Sequence, residues 1–110
     1  MKISQAQQAI KDLLGEMEHP RLGSYIALSE EVGEVADEIM NLEIYGRKHD
    51  TADLASEMGD VMVALCELAN VYGIDLESVF TAKVEELKPR VSEWERTLAE
   101  TLRLNRERLD

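Results

Sequence analysis

Residues 24–45, SYIALSEEVGEVADEIMNLEIY, carry the clearest periodicity of the chain. Apolar side chains recur there at intervals of four and three residues, which is the spacing of one face of an α-helix. This apolar stripe consists of Leu28, Val32, Val35, Ile39 and Leu42. At about 100° per residue, four glutamates of the same stretch fall within an arc of about 100° beside the stripe. They are Glu30, Glu31, Glu34 and Glu38. The stretch therefore predicts a long helix whose acidic side borders its buried side.

Apolar stripes of the same period predict three further helices. The first covers residues 4–18 with Ser4 as its N-cap, the next covers residues 52–72, and the last begins after Asp75, its expected N-cap. Pro89 is expected to kink or break this last helix, because its ring clashes with the preceding turn and it donates no hydrogen bond. No strand-like alternation of useful length occurs, so the sequence predicts an all-α protein.

The length of the chain and its short loops suggest how these helices are arranged. A chain of 110 residues allows one domain, and four helices joined by short loops predict an antiparallel four-helix-type bundle. We expect a single domain over residues 1–110, with its core at about residues 3–90. Residues 91–110 are expected to form an amphipathic helical arm that packs on the bundle or on another subunit.

The formal net charge of −11 is concentrated in the middle of the chain. Residues 22–82 contain thirteen acidic and two basic side chains, whereas residues 83–110 contain seven of each. An acidic surface repels phosphate, which argues against a nucleic-acid partner. No apolar run approaches the ~20 residues of a membrane span, and the single Cys66 rules out a disulfide framework and fits a reducing compartment. We therefore expect a cytoplasmic protein with neither a nucleic-acid nor a membrane partner.

A second acidic pair, Glu57 and Asp60, lies on one side of the third predicted helix. Antiparallel packing of the second and third helices through their stripes would bring this pair to the glutamates of the second helix. Like charges four residues apart on a helix oppose helix formation by roughly a few tenths of a kcal/mol per pair. Neither predicted helix has a lysine or arginine that offsets this repulsion. One interpretation is a solvated acidic face. The other is a site for Mg²⁺ or Mn²⁺, since these ions prefer carboxylate oxygens and link an acidic protein to a phosphate.

A di-iron carboxylate site is the competing metal interpretation. Residues 16–19 contain one Glu-x-x-His sequence, formed by Glu16 and His19. Such sites require this sequence on two helices, and His49, the other histidine, lies in a predicted loop without it. The sequence therefore assigns Glu16 and His19 ordinary roles at a helix end.

The sequence Glu30-Glu31-Val-Gly-Glu34, followed on the next helix by Glu57-Met-Gly-Asp60, resembles the EExxE and ExxD signature of the MazG-like family within the all-α nucleotide pyrophosphohydrolases. The resemblance covers about residues 26–90. It implies Mg²⁺-dependent hydrolysis of a nucleoside triphosphate to the monophosphate and pyrophosphate, for house-cleaning or regulation of the nucleotide pool. It also implies a homodimer or homotetramer.

The resemblance implies roles for individual residues of this chain. The implied metal ligands are Glu31, Glu34, Glu57 and Asp60, with Glu30 as an auxiliary ligand or water-orienting group. Candidates for the general base are Glu30, Glu34 and Glu38, and the choice among them stays open. The implied phosphate-binding residues are Lys83, Lys88 and Arg90. Leu87 and Pro89 depart from the family's basic segment, so the alternative is a catalytically degenerate helical module for oligomerisation or protein interaction.

Overall fold

The structure, a computed structural model that describes all 110 residues, consists of four α-helices without a β-strand. The helices are α1 (Ile3–Leu14), α2 (Arg21–Glu43), α3 (Ala52–Val71) and α4 (Leu76–Leu109), and a turn of 3₁₀-helix, Gly15–Met17, follows α1. The predicted all-α class is confirmed. No helix combines the length and apolar character that crossing a bilayer requires.

The first two helices begin earlier than the sequence predicts. Lys2 is the N-cap of α1, and its backbone N–H donates to Oε1 of Gln5 at 2.7 Å. The prediction of Ser4 as N-cap is therefore wrong, because the Gln5 amide satisfies the helix start from within the first turn. Pro20 is the N-cap of α2. Ser24 consequently lies inside the first turn, where it is fully buried.

The last helix is not broken at Pro89. α4 is a single helix of 34 residues in which Pro89 is an interior residue. Proline removes one backbone hydrogen bond, but polar side chains make local contacts on both sides of it. Lys88 Nζ donates to Glu85 Oε1 at 2.6 Å, and Ser92 Oγ donates to the Lys88 carbonyl at 3.1 Å. The predicted break is wrong, because the helical turns on either side of Pro89 remain intact.

Backbone contacts divide the chain into two compact units, Met1–Leu76 and Glu77–Asp110. In the first unit, α2 and α3 form the main helix interface and α1 packs against α3. Because α2 and α3 are in contact and are joined by the short connection 44–51, they run antiparallel. The buried apolar core lies on α3 and consists of Ala64, Cys66 and Ala69. The second unit is the greater part of α4.

A buried amide fixes α1 to the end of α3. Gln7, which is 8% exposed, donates through Nε2 to the Ile74 carbonyl at 2.8 Å, and its Oε1 accepts from the Leu76 N–H at 2.8 Å. Asn70 Nδ2 donates to the Gln7 carbonyl at 3.0 Å. Gly73, with φ of 66°, supplies the left-handed turn that ends α3. Together these contacts hold the loop after α3 against α1.

A buried carboxylate fixes the start of α2 to α3. Oε1 of Glu67, a residue that is 5% exposed, accepts from the backbone N–H of His19 at 2.6 Å. The His19 ring Nδ1 lies 2.6 Å from the same oxygen. His19 thus has the structural role at a helix end that the sequence assigns to it. Its contact with Glu67 positions the first turn of α2, and with it the acidic side of that helix.

Candidate metal centre

Four carboxylates meet across the seam between α2 and α3. One oxygen from each of these side chains lies within 4.8 Å of the other three, and the four residues are Glu31, Glu34, Glu57 and Asp60. The spacing of three residues within each helix places both members on one side, and the antiparallel arrangement turns the two sides toward each other. The structure therefore brings together the four residues that the sequence nominates as metal ligands.

Two of the four side chains reach inward and two face solvent. Glu31 and Glu57 are partly buried, whereas Glu34 and Asp60 are exposed. Oε2 of Glu31 and Oε2 of Glu57 are buried without a hydrogen-bond partner. Buried polar atoms of this kind are rare in folded proteins, and an ion is one of the ligands that accounts for them. The donor set thus fits a hard divalent cation, with an inner side of buried oxygens and an outer side open to water and substrate.

Proton binding reflects the crowding of negative charge in this group. The pKa of Glu57 is raised from about 4.5 to about 7, chiefly by its hydrogen bond with Glu34, then by burial and by the charges of Glu34 and Asp60. The pKa of Glu31 is also raised, first by burial and then by the charges of Glu34 and Asp60. Without a cation, the raised pKa values keep protons on the group at a pH at which ordinary glutamates release them. A bound cation favours the ionised carboxylates instead.

Glu38 is placed differently from the four. Its Oε2 accepts a hydrogen bond from Lys48 Nζ at 2.7 Å, and the same Nζ lies 2.6 Å from Oδ2 of Asp53. These hydrogen bonds raise the pKa of Lys48, the one with Asp53 contributing most. Glu30 is exposed and lies outside the group of four, although its charge contributes to the raised pKa of Glu31.

The sequence pattern assigns no role to Lys48. The sequence does contain an indication of such a role, because residues 22–82 hold thirteen acidic residues and only two basic ones, Arg47 and Lys48. Both lie in the connection between the two acidic helices, but only Lys48 reaches their side chains. Arg47 stacks over the Tyr45 ring at 4.6 Å.

The nominated phosphate-binding residues lie on α4, in the second unit, and are exposed. Lys83 pairs with Glu86 at 3.0 Å and Lys88 with Glu85 at 2.6 Å. The Arg90 guanidinium lies 5.2 Å from the centre of the Trp94 ring. Each of the three basic side chains is therefore held by a neighbour one helical turn away.

Comparison with known proteins identifies the family of this chain. The model of the MazG nucleotide pyrophosphohydrolase domain matches residues 21–92, a range that contains all four clustered carboxylates. An uncharacterized protein of Bacillus subtilis (strain 168), YvdC, is 30% identical over 102 residues, covering 82% of this chain and 96% of YvdC. No solved structure matches the chain at a significant level. On the evidence of the matched residues, the chain belongs to the MazG nucleotide pyrophosphohydrolase family.

Proposed function

We propose that the protein is a Mg²⁺-dependent nucleoside triphosphate pyrophosphohydrolase, a hydrolase that converts a nucleoside triphosphate and water to the monophosphate and pyrophosphate. The observation that carries this proposal is the group of four carboxylates within 4.8 Å, two of which have buried oxygens without a hydrogen-bond partner. Family membership supports the reaction class. The biological role that we propose is house-cleaning or regulation of the nucleotide pool in the cytoplasm.

The clustered carboxylates would hold the metal ion. A bound Mg²⁺, or Mn²⁺ in its place, neutralises charge on phosphoryl oxygens and lowers the pKa of a water. Glu31 and Glu57 would bind it through their buried oxygens, while the exposed Glu34 and Asp60 would close the solvent side. Among the three candidates for proton acceptor, Glu34 belongs to the metal-binding group and Glu38 is paired with Lys48. We therefore favour Glu30, which is exposed next to the group, as the residue that orients water.

Substrate binding would need positive charge in addition to the metal. We propose that Lys83, Lys88 and Arg90 contact the phosphates, with the planar guanidinium of Arg90 suited to two phosphate oxygens at once. Their present partners are exposed glutamates and one tryptophan. Exposed ion pairs of this kind contribute little stability, so a phosphate can replace them at small cost.

A nucleotide panel tests the proposed reaction. The purified protein with Mg²⁺ is expected to release pyrophosphate and the matching monophosphate from at least one canonical, oxidised or deoxyuridine triphosphate, and EDTA is expected to stop the release. Coupled pyrophosphate detection with chromatography of the nucleotide products measures both. Release of orthophosphate and a diphosphate would contradict the proposed bond cleavage. Inactivity on the whole panel would favour the degenerate interaction module.

We also propose a homodimer or homotetramer. Large apolar side chains on α4 are exposed, among them Trp94 at 39%, Leu98 at 43% and Leu102 at 51%. They lie on one side of the helix, since their spacings are all four residues. A contiguous exposed apolar stripe is typical of a protein interface, and symmetric assemblies of identical chains are the commonest way to cover one.

Light scattering tests this assembly. We expect a particle whose mass is two or four times the 12.4 kDa of the chain. Leu98→Glu, which places a charge in the stripe, is expected to shift the protein toward monomer. Ser92→Glu, which adds the same charge away from the stripe, is expected to leave the mass unchanged. A monomer of the unmodified chain at all concentrations would contradict the proposal.

A further inference from the structure

We infer that the Lys48 ammonium group takes the place of a metal ion between the acids at one end of the candidate metal centre. It thereby restricts divalent ions to the four clustered carboxylates. This inference rests on the proposed metal-dependent function and adds a positioning residue to it. Lys48 lies outside the EExxE and ExxD sequences, in the connection between α2 and α3. Its role follows from what its ammonium group contacts.

Acidic side chains face each other across the α2–α3 seam at three successive levels. Counted along the seam from the loop, the pairs are Glu38 with Asp53, which share Lys48, and then Glu34 with Glu57 and Glu31 with Asp60, which together form the group within 4.8 Å. Steps of four and then three residues separate the levels on each helix, so adjacent levels are about one helical turn, or roughly 5 Å, apart. In order of distance from the loop, we call them the loop-side, middle and far pairs.

The loop-side pair is the only one of the three that receives a cation from the chain itself. Lys48 Nζ lies 2.7 Å from Glu38 and 2.6 Å from Asp53, and the Glu38 side chain is only 14% exposed. The middle and far pairs have no lysine or arginine partner. Instead, two of their oxygens are buried without a hydrogen-bond partner. The acid pairs on this seam thus differ in whether an ammonium group lies between them.

This difference has two consequences for a divalent ion. An ion at the loop-side pair would have to displace Lys48 from two hydrogen bonds. An ion at the middle pair would lie about one helical turn from the ammonium charge, which repels it. Lys48 therefore limits the number of ions that the seam accepts, and it weakens their binding while holding α2 and α3 together at the loop end.

Lys48→Met, which removes the charge and keeps an unbranched side chain one atom shorter, tests this role in the full chain. Titration with Mn²⁺, followed by calorimetry and by electron paramagnetic resonance of free Mn²⁺, gives the number of bound ions and their affinity. We expect Lys48→Met to bind one more Mn²⁺ per chain than the unmodified protein and to bind the first ion roughly tenfold more tightly. Lys48→Arg is expected to restore the original number.

Two further variants separate this role from a general charge effect and from a purely structural one. Arg47→Met removes the same charge from the same loop but no contact with the acids, so we expect the original ion number. Lys48→Met combined with Glu38→Gln removes the ammonium group and also the glutamate that it neutralises. We expect this double variant to lose the extra ion. Because it buries no unpaired Glu38 charge, it also serves as a control against misfolding of the single variant. A weaker or unchanged Mn²⁺ titration in Lys48→Met would overturn the inference while the proposed metal site stands. Absence of Mn²⁺ binding in the unmodified protein would instead refute both.

Discussion

Glu34→Gln is expected to reduce kcat/KM for pyrophosphate release by more than about 100-fold. Loss of a residue that only orients a metal ligand costs 10–100-fold, and Glu34 belongs to the four-carboxylate group itself. The substitution keeps the size of the side chain and removes its charge. Asp60→Asn is expected to have the same effect, because it removes another carboxylate of the group, on α3. Steady-state kinetics at saturating Mg²⁺ measures the loss of activity, and calorimetry with Mn²⁺ measures the loss of the ion.

The same variant is expected to stabilise the metal-free protein. Glu34 is the largest cause of the raised pKa of Glu57 and one cause of the raised pKa of Glu31. At pH 8, above the pKa of about 7 of Glu57, that residue has lost its proton, and the charge of Glu34 beside it is unfavourable when no cation is bound. Tm in EDTA at pH 8 should therefore rise in Glu34→Gln while activity falls. Glu43→Gln, an exposed acid at the end of α2 outside the group, is the matched control and should change neither quantity. Turnover of Glu34→Gln close to that of this control would refute the metal assignment.

The clustering of the four carboxylates, which the sequence pattern predicts, depends on local geometry. Residues three apart share one side of a helix wherever the helix occurs, so Glu31 with Glu34 and Glu57 with Asp60 each had to form a pair. One tertiary fact, the antiparallel contact of α2 with α3, then brings the pairs together. The short connection between the helices made that contact predictable as well.

The parts that the sequence does not reveal depend on the path of loops and on individual side chains. Glu38 lies on the same side of the apolar stripe as Glu34, but the connection after α2 brings Lys48 back to Glu38. No periodicity encodes that return. Likewise, Gln5 and not Ser4 satisfies the start of α1, since several polar side chains near a helix start compete for the same N–H groups.

Pro89 shows how a strong local signal can be overruled. Proline in a helix interior removes one hydrogen bond and destabilises the helix by about 3 kcal/mol, which predicts a kink or a break. In a helix of 34 residues, the backbone hydrogen bonds of the turns on either side of Pro89 outweigh this single loss. The consequence for function is that the three nominated phosphate-binding residues lie on one continuous helix.

In the metal-free protein, Tm is expected to fall as pH rises from about 5 to 8. The folded-state pKa of Glu57 is about 7, raised from an ordinary value near 4.5. Between these values the folded protein keeps a proton that the unfolded chain releases, so folding is favoured at the lower pH. This contribution is fully present below pH 4.5 and is lost as pH rises through 7. Thermal unfolding in EDTA at several pH values measures the slope, and Glu57→Gln, which has no proton to lose there, should flatten it.

A divalent cation is expected to remove most of this pH dependence. It replaces the proton as the positive charge between Glu34 and Glu57, so Mg²⁺ or Mn²⁺ should raise Tm more at pH 8 than at pH 5. Binding at pH 7 should also release protons, because Glu57 is about half protonated at its pKa of about 7. Calorimetry in two buffers of different ionisation enthalpy measures this release directly. A Tm that rises with pH in EDTA, or Mn²⁺ binding without proton release at pH 7, would contradict the assignment of a shared proton to this pair, because both results require carboxylates that are already ionised.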